Sequence, residues 1–160
     1  MTNTYHSLDA AFVARVRGGG PDANGQVGER TLSDGDGNPC RNCLHDITAG
    51  DEMLILTAGP FSGLQPYAET GPIFLCARDC GAWMSPGVPL VLQSAPDYLL
   101  KAYSKDERII YGAGKIVDCG DLDAYAHHLL LRDDVAYVDV RSTRNNCFWQ
   151  GLQTKYETRF

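Results

Sequence analysis

Apolar side chains in residues 7 to 17, SLDAAFVARVR, recur at Leu8, Ala11, Phe12 and Val16, a spacing that gathers them on one helical face. Ser7 stands where an N-cap is needed and Gly18 to Gly20 end the run, which predicts a short amphipathic helix. From Gly18 to Pro39 the chain is punctuated by Gly, Asp, Asn and Pro, so this segment reads as surface loop with one brief strand at ERTLS. Extended patterns then follow at 52–59, 71–77, 98–104 and 108–118, the last two separated only by KDE, which is hairpin spacing. DLDAYAHHLLLRDD predicts a second helix, with Asp121 as cap and Leu122, Tyr125, Ala126 and Leu129 in one stripe. Residues 135–143 and 147–155 read as two strands around the turn RNN.

Hairpin-linked strands with helices set apart define an α+β fold built mainly of antiparallel sheet with two short helices, rather than alternating parallel units. A chain of 160 residues is the size of one domain, and a single domain over 1–160 is expected, with its loop-rich segment at 18–39. A hydrophobic content of 44% against 21% charged residues is globular composition and argues against disorder of the whole chain. The net charge of −6 repels phosphate backbones, which sets nucleic acid aside as a partner. The N-terminal stretch lacks the basic and apolar segments of a secretory signal, and no run approaches the roughly 18 apolar residues of a membrane span. The expected compartment is the cytoplasm, where the six cysteines stay reduced.

Cysteine spacing then carries most of the chemistry. Cys40 and Cys43 form C-x2-C, and Cys76 and Cys80 form C-x3-C, each pair beside a turn. Pairs two to four residues apart let one tight turn present two thiolates, and two such pairs make a tetrahedral zinc site. A redox C-x-x-C would sit between a buried strand and a helix N-terminus, whereas a polar glycine-rich loop precedes Cys40. Four reduced cysteines without metal is the plainer alternative, and the second pair is what favours zinc. His45 is a surface histidine or a replacement ligand.

Cys119 and Cys147 lack close partners and read as small buried hydrophobes, and the adjacent His127 and His128 point about 100° apart on their helix. Asp34, Asp36 and Asn38 begin a calcium-loop pattern that fails at Pro39 and His45, where glycine and glutamate are needed. Trp83 and Trp149 read as core or near-core aromatics.

PCRNCLHDITAGDEMLIL, QPYAETGPIFLCARDC, LKAYSKDERIIYGAGKIV and DDVAYVDVRSTRNNCFWQ, in that order, resemble a family of small bacterial proteins known as domain of unknown function 1203. The likeness spans about residues 38 to 150 and implies no activity. It implies that Cys40, Arg41, Tyr67, Gly71 to Phe74, Cys147 and Phe148 belong to the shared pattern. It also implies that the positions of Cys43 and Cys76 vary within the family, which would make a metal structural and confined to one branch.

Two functions follow as expectations. One is a non-catalytic binding module stapled by structural zinc on Cys40, Cys43, Cys76 and Cys80, presenting a surface to a protein or small ligand. The other is an enzyme or binder of a small anionic ligand, in which Arg41, Tyr67, Glu69, Arg141 and Arg144 converge. Arginine forks suit carboxylate or phosphate, and the tyrosine and glutamate supply a donor and a base. Surface pairing of Glu69 and the arginines is the simpler account of those residues.

Overall fold

The computed structural model describes residues 3–153, with side chains described throughout except at 148–150 and 152–153. The reading of Trp149 as a core aromatic therefore lies outside the described side chains. The fold is α+β, with eight strands among the described residues, β1 (Thr4–His6), β2 (Glu29–Leu32), β3 (Glu52–Ala58), β4 (Gly71–Cys76), β5 (Asp97–Tyr103), β6 (Lys115–Asp118), β7 (Tyr137–Arg141) and β8 (Phe148–Gln153). Two α-helices accompany them, α1 (Ala10–Arg17) and α2 (Leu122–Leu130). The chain divides into two compact units, one built on residues 7–64 and 68–83 and the other on the described residues 3–6, 65–67 and 84–153.

The first unit holds the antiparallel sheet β2-β3-β4. In β3, Met53, Leu54, Leu56 and Ala58 are buried, and β4 contributes Ile73, Leu75 and Cys76. Pro72 has no N–H to donate and sits in β4, an edge strand of this sheet, where the loss is tolerated. Helix α1 covers the core with Val13 and Val16, and Leu8 and Phe12 pack beside them. The helix starts later than its periodicity suggests. Asp9 is the cap, its carboxylate accepting from the Phe12 N–H at 2.9 Å. Ser7 instead donates to the Asn42 carbonyl at 2.6 Å, a tertiary use of the hydroxyl that local sequence does not reveal.

The second unit holds the five-stranded antiparallel sheet β1-β8-β7-β5-β6. Alternation in β5 buries Tyr98, Leu100 and Ala102, and α2 contributes Leu122, Ala126, Leu129 and Leu130. The expected hairpin after β5 begins with a turn in which Glu107 takes φ +58°, and Tyr103 bridges to Ile109. The long strand expected at 108–118 does not form. The chain leaves the sheet after Ile109 and returns as β6, where Lys115 pairs with Leu100. Strand β1 is absent from the sequence reading, because three residues carry no recognisable alternation. It pairs with β8 and is tied to α2 by Tyr5, whose hydroxyl donates to the Asp123 carboxylate at 2.7 Å.

Candidate metal centre

The four paired cysteines come together in the first unit, all four sulfurs lying within 4.8 Å of one another. A backbone arrangement at the edge of β4 accounts for this. The segment 38–47 forms a small loop closed by the Ile47 N–H to the Asn38 carbonyl at 2.9 Å and the Cys40 N–H to the His45 carbonyl at 2.9 Å. That loop lies along β4 in a parallel bridge between Cys40 and Phe74, with the Arg41 N–H donating to the Phe74 carbonyl at 3.0 Å. An otherwise open strand edge is thereby covered, and Cys40 is set two residues from Cys76 along the strand.

Both turns that present the sulfurs use the same backbone device. The residue after each second cysteine is left-handed: Leu44 at φ +56° and Gly81 at φ +69°. Glycine meets this at no steric cost, and a Cβ at Gly81 would touch nothing within 4 Å, so only its backbone freedom is being used. Leu44 bears the strain because its side chain is fully buried in the core. Its N–H donates to the Cys40 carbonyl at 3.0 Å, closing the turn that carries Cys43.

Donors surround the sulfurs. The Cys76 N–H points at Cys40 Sγ, 3.3 Å away, and the Asn42 side-chain amide approaches Cys80 Sγ at 3.6 Å. Arg17, the last residue of α1, places Nη2 at 3.0 Å from Cys80 Sγ while its Nε donates to the Cys76 carbonyl at 3.0 Å. Cys40 and Cys76 are buried, and Cys43 and Cys80 half-buried. The Sγ atoms of Cys40 and Cys80 are 3.8 Å apart.

Hydrogen bonds among the four split their acidities. The neighbouring Cys43 thiol draws Cys40 down to about 6, and donation led by Cys40 holds Cys80 well below the ordinary thiol range. The same contacts with Cys40 push Cys43 and Cys76 above it. Mutual hydrogen bonding thus favours the thiolate at Cys40 and Cys80 and the thiol at Cys43 and Cys76.

Other singled-out residues take separate positions. Of the proposed anion-recognition set, Arg41 and Glu69 belong to the first unit, and Tyr67, Arg141 and Arg144 to the second. Arg41 is buried and donates to the Pro39 carbonyl at 2.7 Å. Arg141 is buried against Asp139 at 3.4 Å, with the Tyr103 hydroxyl also 3.4 Å away. Tyr67 receives the Tyr111 hydroxyl at 3.1 Å and has the Arg108 guanidinium 5.2 Å from its ring. Glu69 is half-buried and Arg144 exposed.

The second unit has a cavity of about 470 Å³ between β6 and α2, lined by Lys115, Asp118, Asp121, Tyr125 and His128 among others. Tyr67, Arg141 and Arg144 are not among its lining residues.

His45 is exposed, its Nδ1 2.8 Å from the Cys43 carbonyl and its ring 5.7 Å from that of the half-buried Trp83. The Asp34 carboxylate serves its own loop, accepting from the Asp36 N–H at 3.0 Å and the Asn38 amide at 2.6 Å. Cys119 and Cys147 are half-buried rather than fully buried, each thiol directed at a backbone carbonyl.

Sequence reasoning did not select Arg17 or Asn42. Asn42 was within reach, since it lies inside the first cysteine pair, but Arg17 joins the site only through the docking of α1.

Fold and site together define an α+β protein with a partly buried four-cysteine cluster compatible with a metal site. The family described as protein of unknown function DUF1203 matches residues 37–153, and the chain belongs to it. Neither a curated protein nor a solved structure matches the chain. No helix among the described residues is long and apolar enough to cross a membrane.

Proposed function

We propose that Cys40, Cys43, Cys76 and Cys80 hold one structural zinc ion, and that the protein is a non-catalytic binding module whose loops this ion staples. The gathering of all four sulfurs within 4.8 Å carries the reading. Zinc–sulfur bonds of about 2.3 Å require tetrahedral edges of about 3.8 Å. The Cys40–Cys80 separation of 3.8 Å meets that length. Four protein ligands leave no coordination position for water or substrate, so the ion's role is to hold 38–47 and 76–83 together rather than to activate a nucleophile. A small anion or a protein is the expected partner.

Recognition of an anion by Arg41, Tyr67, Glu69 and Arg141 has less support, because Arg41 and Arg141 already have partners inside the protein. The chain purified without added metal is expected to contain about one zinc per molecule by elemental analysis. Simultaneous Cys→Ser changes at Cys43 and Cys80 are expected to abolish it. Wild-type protein that neither retains zinc nor takes it up on addition would sink the proposal.

A further inference from the structure

We infer that Arg17, outside the segment matched by the family, is a positioning residue of the metal centre: its guanidinium sets the charge and orientation of the Cys80 thiolate. The inference rests on the zinc reading and deepens it. An ion of charge +2 held by four thiolates leaves a net charge of about −2 in a partly buried place, which is costly without a neighbouring cation or donors. Arg17 is a cation placed to meet that need. Its side chain is 14% exposed, low for an arginine, and it reaches both halves of the C-x3-C pair, Nη2 to Cys80 Sγ at 3.0 Å and Nε to the Cys76 carbonyl at 3.0 Å.

The planar fork makes these two contacts together, as a lysine could not. Asp79, 91% exposed, lies 3.6 Å from Nη1 on the other side and holds the guanidinium only through solvent-screened attraction. The sulfur contact is therefore the one that the buried end of the side chain serves. Two further donors already act on the cluster, the Cys76 N–H on Cys40 and the Asn42 amide on Cys80. Arg17 adds the full positive charge that they lack. It also makes α1 part of the centre, because that helix ends at the residue that contacts the sulfur.

The test uses the full chain and zinc alone, with affinity read by competition against a chromophoric chelator, and cobalt(II) as a spectroscopic substitute. Arg17→Gln is expected to weaken zinc binding about 10- to 100-fold, the range for loss of a partner to a metal ligand. Arg17→Lys, which keeps the cation but not the fork, should fall between. Losing the charged donor raises the energy of the Cys80 sulfur lone pairs, so the sulfur-to-cobalt band of Arg17→Gln should move to longer wavelength. Packing alone would not move that band.

Wild type that binds zinc, beside an Arg17→Gln variant within twofold of it and with an unmoved band, overturns the inference and leaves the zinc reading standing. Equal weakening in the Gln and Lys variants with unmoved bands overturns it as well, by showing a packing role. Wild type that binds neither ion overturns the zinc reading and this inference with it. If Arg17→Gln does not fold by circular dichroism, the Lys variant decides: a shifted band and intermediate affinity support the role, and wild-type values overturn it.

Discussion

Leu44 occupies a left-handed backbone conformation at φ +56°, yet its side chain is completely buried. The two facts pull in opposite directions. A residue with a Cβ gives up about 1–2 kcal/mol in this region, whereas removing a buried leucine side chain costs about 2–5 kcal/mol, so packing wins and leucine is kept where glycine would be easier on the backbone. Comparison of two truncations separates these contributions. Leu44→Ala loses the packing and retains the strain, while Leu44→Gly loses the packing and releases it. We expect Leu44→Gly to be the more stable of the two by about 1 kcal/mol in urea titrations, against the usual order in which glycine is the worse residue. An alanine variant that outlasts the glycine variant would show that the turn is not held left-handed in solution. At this scale the sulfur ligands were legible in the sequence because the constraint on them is local: each pair must fit one turn. Leu44 was not, because its conformation is imposed by the sulfurs on one side and the core on the other.

Strand β1 shows how a three-residue element is held by side chains rather than by propensity. Asn3 donates to both the carbonyl and the carboxylate of Asp123, at 2.9 and 2.8 Å, and Tyr5 donates to the same carboxylate. Burial, reinforced by Asp123, pushes the Tyr5 phenol far above its ordinary value, so the folded chain keeps it neutral. An unfolded tyrosine ionises near 10, and the stability that Tyr5 contributes is present below that pH and lost as pH rises beyond it. His6 sets the other side. Its Nε2 is buried without a hydrogen-bond partner among the described residues, and desolvation lowers its pKa from 6.5. Its contribution is present above 6.5 and lost as pH falls through the lowered folded value. On top of the rise with pH that zinc binding brings up to the ordinary thiol range, the urea midpoint of zinc-loaded protein is therefore expected to fall by an added amount below about 6.5 and above about 10. Tyr5→Phe should flatten the alkaline limb and His6→Gln the acid limb, and limbs unchanged in both variants would remove β1 from the pH response.

Strands β3 and β5 were legible within a residue of their ends, and α2 at its start after Asp121, although the helix ends at Leu130 within a run read to Asp134 and Asp121 makes no side-chain cap bond. The failures have specific causes. RIIYGAGKIVD reads as one strand because its apolar residues are continuous, but the chain leaves the sheet before Gly112, whose φ is +82°, and returns at Lys115. Asp9 replaces Ser7 as the cap because the Ser7 hydroxyl is engaged by Asn42, a partner 35 residues away.

For the molecule as a whole, each of the two units has its own sheet and its own buried side chains, and the four cysteines belong to one of them. Metal removal should therefore act locally. Without the ion, the sulfurs no longer restrain the turns at 38–47 and 76–83, whose remaining backbone ties run within each turn (Cys40 N–H to His45, Leu44 N–H to Cys40, Ile47 N–H to Asn38) or to near neighbours (Leu8 N–H to Arg41, Arg41 N–H to Phe74, Ala77 N–H to Glu52, Trp83 N–H to Asn42). Amides in irregular turns, outside a sheet ladder, open with small free energies, so their hydrogen-exchange protection should fall by about tenfold or more on chelation. The pairing of β5 with β7, from Leu99–Arg141 to Tyr103–Tyr137, depends on no sulfur and should keep its protection. Acid should reproduce the effect of the chelator. Protons compete with the ion for the four sulfurs, most strongly at Cys43 and Cys76, whose thiols are held above the ordinary range, so zinc affinity falls as pH is lowered and protection at the two turns is lost along with the zinc. Exchange measured with and without chelator at neutral pH checks this directly. Loss of protection spread evenly over both sheets, or none at 38–47 and 76–83, would show that the cluster does not staple these loops.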